Sequence, residues 1–191
     1  MTKQEMELIL AVEGDFYTEN YRGCKIEVIR HPSLLHLNGY ISFPSGNISK
    51  RCIDTLFCHG GITYEEEDNG KIIIGFDTAH LGDLSPCYFF MPLLGLKSNL
   101  GEYRNMEYCI SECRSIVEQV KLYNRREEDK RKRMSEKIKE LEKLMKEISE
   151  DWEDIEDTEF IDEDYPFRAS FDEVVSNVSY WADSIEEKLE S

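Results

Sequence analysis

Two short segments of the 191-residue chain carry the residue types that could do chemistry. The first is Cys58-His59-Gly60-Gly61-Ile62-Thr63-Tyr64. Two glycines behind a histidine leave the backbone free to take positive φ and to approach a ligand closely. The second is Gly75-Phe76-Asp77-Thr78-Ala79-His80-Leu81-Gly82-Asp83, which sets Asp77, His80 and Asp83 three residues apart after an apolar strand. That spacing predicts a common side of one helical turn. A rigid strand feeding an accessible polar loop is a normal setting for a functional site.

Three chemistries fit these groups. His59, Asp77, His80 and Asp83 offer two imidazoles and two carboxylates, a donor set for a divalent metal that activates water for hydrolysis of a phosphate or amide. The same groups could instead line a pocket for a small polar ligand. Gly60 and Gly61 would then donate backbone N–H groups, with Thr63 beside them and Tyr40 or Tyr64 stacking on a ring. In the third reading they are architectural: Asp77 caps a turn, His80 is a hydrogen-bonded core histidine, and Asp83 is an N-cap before Leu84-Ser85-Pro86. His31 and His36 read as loop histidines. Glu65-Glu66-Glu67-Asp68 lacks the ligand spacing of a calcium loop and reads as a charged strand edge. The six cysteines include no C-x-x-C pair and read as reduced thiols. Cys109 and Cys113, four apart on one helix face, should behave as small apolar residues. A zinc site from Cys52, Cys58 and His59 has no standard spacing.

Charge narrows the partners. Forty Asp and Glu against 23 Lys and Arg leave −17. Residues 1–120 carry 17 acids and 10 bases, residues 121–150 carry 8 and 11, and residues 151–191 carry 15 and 2. An acidic surplus repels nucleic acid, so direct DNA binding is not expected. No apolar run approaches the ~20 residues of a bilayer span. The opening MTKQEMELILAVEG lacks the basic-then-apolar order of a signal peptide, which places the protein in the cytoplasm.

The elements that must position these groups read as α+β: a small antiparallel sheet domain, then a long helix, then a C-terminal helical hairpin or coiled coil. Residues 1–120 form the α+β domain and 121–191 the charged hairpin, with an acidic linker over 151–166. Thr2 and Glu5 form a capping box for a helix through Leu10. Strands are expected at Tyr21–Arg30, Leu37–Phe43, Thr55–Cys58, Ile62–Glu66 and Lys71–Phe76, with a tight turn at Asp68-Asn69-Gly70. Connections this short require antiparallel pairing. From Tyr103 a helix of about 45 residues begins, its stripe running Met106, Ile110, Cys113, Val117, Val120 and resuming at Met134, Ile138, Leu141, Met145 and Ile148. Ser170 to Glu173 is a second capping box, opening a helix with Phe171, Val174, Val178, Trp181, Ile185 and Leu189 on one stripe. Folding that stripe onto Met134–Ile148 makes a monomeric hairpin. The same seam could also make a homodimer.

The signature resembles an uncharacterised phage and bacterial protein family with "cGYvgvP", "HGGlTY" and "GFDcaHaGD" segments followed by a helix "Y-x-x-x-E-C-x-x-L-x-x-Q". The counterparts here are Asn38 to Pro44, His59 to Tyr64, Gly75 to Asp83, and Tyr108, Glu112, Cys113 and Gln119. Asn38 and Thr78 stand where that family has Cys, Leu81 where it has Ala, and Ile73-Ile74 replace a Trp pair. The resemblance covers about Leu37 to Val120 and implies a phage or prophage setting in a bacterial host. The leading expectation is therefore an accessory protein that binds a small polar ligand, nucleotide-derived ligands included, and sequesters a host defence signal. The alternatives are a metal-dependent hydrolase and an acidic inhibitor that docks on a host defence protein by mimicking nucleic acid.

Overall fold

The computed structural model describes residues 1–90, 101–153 and 171–190. Their contacts divide into two compact units, Met1–Asn124 and Arg125–Ser191.

The first unit is α+β. Helix α1 (Lys3–Glu13) starts at the capping box: the Thr2 hydroxyl accepts the Glu5 N–H at 3.2 Å, and the Glu5 carboxylate accepts the Thr2 N–H at 2.7 Å. Five antiparallel strands follow: β1 (Phe16–Tyr21), β2 (Cys24–Arg30), β3 (Leu37–Pro44), β4 (Tyr64–Asp68) and β5 (Lys71–Asp77), in the order β1-β2-β3-β5-β4. The acidic Tyr64–Asp68 strand is an exposed edge, where charge blocks further strand pairing. Asn69 and Gly70, both at positive φ, turn β4 into β5.

Three sequence expectations change here. Tyr21–Arg30 is not one strand, because Arg22 and Gly23 take positive φ and make a two-residue hairpin between β1 and β2. Thr55–Cys58 is not a strand either. Helix α2 (Lys50–Ile53), capped by the Ser49 hydroxyl, precedes it, and the chain then runs irregularly to Thr63. The long helix begins at Met106 rather than Tyr103, with Asn105 Oδ1 accepting the Tyr108 N–H at 2.8 Å.

Alternation along β2 and β3 buries Ile26, Val28, Leu37, Ile41 and Phe43 on one sheet face, joined by Ile74 and Phe76 of β5. Helix α3 (Met106–Glu153) covers that face with Met106, Cys109, Ile110, Cys113, Ile116, Val117 and Val120. Cys109 and Cys113 sit in this core as free thiols, and burial pushes Cys109 up to about 12. Cys52 is a core residue as well, so it does not join Cys58 and His59 in a zinc site. A buried Arg30 ties α1 to the sheet. Its guanidinium donates to Glu13, Asp15, the Gly14 and Leu35 carbonyls and the Tyr103 hydroxyl, and Tyr103 in turn donates to Glu13 at 2.6 Å.

In the second unit, the far half of α3 pairs with α4 (Phe171–Glu190), and the Ser179 hydroxyl donates to Glu142 at 3.0 Å. The expected seam holds at Ile138, Met145, Val174 and Val178 and fails at Met134, Leu141, Ile148 and Trp181. Ser135, Ile138 and Ala182 are buried, whereas Met134, Leu141, Ile148 and Trp181 are about half exposed. Ala182 faces inward, and Trp181, one residue earlier, is rotated about 100° away. Val174, Val178 and Met145 are half-buried. The acidic linker beyond Glu153, the Ser170 cap and the side chains of Phe171, Ile185 and Leu189 lie outside what the structure describes.

Candidate functional site

The nine residues proposed from sequence separate into two neighbouring sets. His59, Gly60, His80 and Asp83 gather around one buried carboxylate, while Tyr40, Thr63, Tyr64 and Asp77 line a cavity. Gly61 stands beside the first set with its Cβ direction open to space.

Asp83 is the hub of the first set. Its side chain is only 3% exposed. Oδ2 accepts the His59 Nε2–H at 2.7 Å and the His80 backbone N–H at 3.0 Å, while Arg104 Nε lies 3.3 Å from Oδ1. Burial pushes this carboxyl up, but the hydrogen bonds from His59, the His80 N–H and Arg104, with the electrostatic attraction of His59, outweigh it and hold it below its ordinary value. Because Asp83 only accepts, His59 carries a proton on Nε2, and its Nδ1 lies 3.1 Å from the Tyr108 hydroxyl. The expected helical turn over 77–83 does not form. Asp77 ends β5, and a turn closed by Asp83 N–H to the His80 carbonyl, 3.0 Å, folds Asp83 back under His80. A bridge to Glu102 then fixes Asp83 from the other side.

Helix α3 braces the histidine loop. Glu112 accepts the His59 backbone N–H at 2.8 Å, and the Gln119 amide bonds both the N–H and the carbonyl of Phe57 at 2.9 and 2.8 Å. Tyr108, Glu112 and Gln119 are four and seven residues apart, so one helix face presents all three. That spacing is the physical content of the "Y-x-x-x-E-C" segment. Tyr108, Glu112 and Gln119, parts of the resemblance signature, thus belong to the site as its supports, a role that no local spacing in the sequence signals.

Gly60 lies at φ +66°, and an added Cβ would fall 2.5 Å from His80 Nδ1 and closer still to Cε1 and Nε2 of the same ring. The His80 ring therefore packs directly on the Gly60 backbone and stands edge-on to His59, centroids 5.4 Å apart. His80 Nδ1 is buried and makes no hydrogen bond; the nearest carboxylate oxygens, Asp77 Oδ1 and Asp83 Oδ2, are each 3.7 Å away. His80 is thus not the satisfied core histidine of the architectural reading. Asp77 does close a local turn, with Oδ1 accepting the Ala79 N–H and Oδ2 the Thr63 hydroxyl, each at 3.0 Å.

The second set lies on the sheet face opposite α3. Asn38 pairs with Asp77 and Tyr40 with Gly75 across β3 and β5, and Tyr64 of β4 flanks Gly75 from the other side. Gly75 has no side chain where the Tyr40 ring lies, since a Cβ there would be 2.8 Å from Cδ1. Tyr40 and Tyr64 meet edge to face at 5.3 Å. They bound a cavity of about 410 Å³ completed by Asn38, Thr63, Asp77 and the stacked pair His31 and His36, whose centroids are 5.0 Å apart. These two histidines were read as loop residues and prove to be part of this lining. Burial and the neighbouring His31 hold His36 below the ordinary imidazole value, so it is neutral at pH 7.

Among the described residues, no helix is long and apolar enough to cross a membrane. Compared with known proteins, the chain matches no protein-family model, no curated protein and no solved structure.

Proposed function

We propose that the protein binds a small, polar, ring-bearing ligand in the cavity between Tyr40, Tyr64 and the His31–His36 pair. The observation that carries this reading is the cavity itself. Its volume of about 410 Å³ falls in the range of small-molecule sites. Two tyrosine rings supply stacking surface, and Asn38, Thr63, His36 and Asp77 supply hydrogen-bonding groups. Asn38 Oδ1 and His36 Nδ1 are both buried without a well-formed hydrogen bond. Both residues belong to the cavity lining, and a ligand group reaching these atoms would satisfy them.

The lining also selects ligand charge. It includes the Asp77 carboxylate and no Lys or Arg, which favours a neutral or cationic ring, such as a nucleobase or nucleoside, over a phosphate-rich nucleotide. The resemblance to phage and bacterial proteins supplies the setting, in which a phage accessory protein sequesters a base-containing host defence signal. Mass spectrometry of small molecules released from the purified protein, combined with titration of nucleobases and nucleosides, tests the reading. A ring-bearing compound should be retained by the wild type and lost from Tyr64→Ala, which alters only an exposed edge strand. Equal retention by wild type and Tyr64→Ala, or no binding by either, refutes it.

A further inference from the structure

The geometry points to a second site beside the cavity: a divalent transition-metal site formed by His59, His80 and Asp83. Among the described residues, one donor atom from each of these three side chains lies within 4.8 Å of the other two. Two imidazoles and one carboxylate leave coordination positions open, the pattern of sites that bind Zn²⁺, Fe²⁺ or Mn²⁺ together with an exogenous ligand. Imidazole donors disfavour Ca²⁺ and Mg²⁺, which take oxygen. The site stands independently of the ligand assigned to the cavity.

Four observations support it. His80 Nδ1 is a buried nitrogen without a hydrogen bond, 3.7 Å from Asp83 Oδ2. Ligand atoms about 2.1 Å from a shared ion stand roughly this far apart at a near-tetrahedral angle. His59 Nε2 lies 2.7 Å from the same oxygen. Cation binding would move the His59 proton to Nδ1, where Tyr108 Oη stands 3.1 Å away as its acceptor. Metal-binding histidines are commonly oriented through their second nitrogen in this way. Arg104 holds the other Asp83 oxygen, so Oδ2 keeps one direction. Lastly, carboxylates surround the point: Asp77 lies 3.7 Å from His80 Nδ1, and Glu112 bonds the His59 amide. Asp77 does not join the ligands: the donor atoms that gather within 4.8 Å of one another are those of His59, His80 and Asp83.

The test is a titration of the chelator-stripped full-length chain with Co²⁺, read by visible absorption, followed by displacement with Zn²⁺. One equivalent should bind with a d–d spectrum free of thiolate charge transfer, and equimolar Mg²⁺ or Ca²⁺ should not compete. His80→Ala should abolish binding, and Tyr108→Phe should weaken it by about 10–100-fold. Because His80 Nδ1 has no hydrogen bond to lose, the His80→Ala chain should remain folded, which circular dichroism checks. Any of four results overturns the site: no stoichiometric Co²⁺ in the wild type, unchanged binding in His80→Ala, loss instead on His31→Ala, or a thiolate charge-transfer band.

Discussion

Replacing Gly60 by alanine separates the position of His80 from the stability of the fold. Gly60 sits at φ +66°, and alanine held in the left-handed region costs roughly 1–2 kcal/mol. The new Cβ would also stand 2.5 Å from His80 Nδ1, whereas ordinary contact begins at 3.4 Å. The ring must therefore move. It is one-third exposed and Nδ1 has no hydrogen bond to forfeit, so rotation toward solvent adds little. The total should stay near 1–2 kcal/mol, a fall in Tm of roughly 2–8 °C for a chain of this size. Gly61→Ala is the matched control, since Gly61 has φ +86° with nothing within 4 Å of its added Cβ. Both variants should lose similar stability in urea and thermal melts followed by circular dichroism. Only Gly60→Ala should shift the His80 imidazole resonance in a ¹H–¹³C spectrum and abolish Co²⁺ binding. A Gly60→Ala loss above about 4 kcal/mol would make the ring part of the core, and an unmoved His80 resonance would refute the packing argument outright.

Three further outcomes are expected. Arg30→Met should cost about 3–5 kcal/mol in urea unfolding, because it strips a buried cation from Glu13 and leaves the Leu35 and Gly14 carbonyls short of donors; Arg30→Lys should rescue little, since a single ammonium cannot reach all of these acceptors. The stability advantage of the wild type over Asp83→Asn should depend on pH. The folded Asp83 carboxyl is held below its ordinary value of 3.8, so its contribution is fully present above that value and is lost as pH falls through the lower folded one; a difference that stays constant between neutral pH and pH values well below 3.8 would contradict this. Deleting residues 171–191 uncovers Ile138, buried to 3% exposure, at about 1.5–3 kcal/mol, beside Met134, Leu141 and Ile148, which are already half exposed. Sedimentation of the truncated chain should show self-association, or circular dichroism a loss of helix, and a helical monomer would refute the seam.

What the sequence alone determined was local. The period-2 alternation of β2 and β3, the turn at Asn69-Gly70, the capping box at Thr2 and the 4-3-4-3 stripe of Met106 to Val120 each involve residues a few positions apart, where backbone geometry is read directly from residue type. The α+β class and antiparallel pairing followed from them. The tertiary structure decided which polar groups meet. His59 and Asp83 are 24 residues apart, Tyr108 lies 49 from His59, and Arg30 lies 73 from Tyr103. No spacing rule links such pairs; they meet because β5 lies between β3 and β4 and because α3 crosses the sheet with Tyr108 and Glu112 toward the His59 loop. The end of β5 divides the anticipated site. Asp77 pairs with Asn38 on the cavity face, while the turn after it carries His80 and Asp83 to His59. Four polar residues that looked like one cluster along the chain thereby became a cavity wall and a three-residue centre.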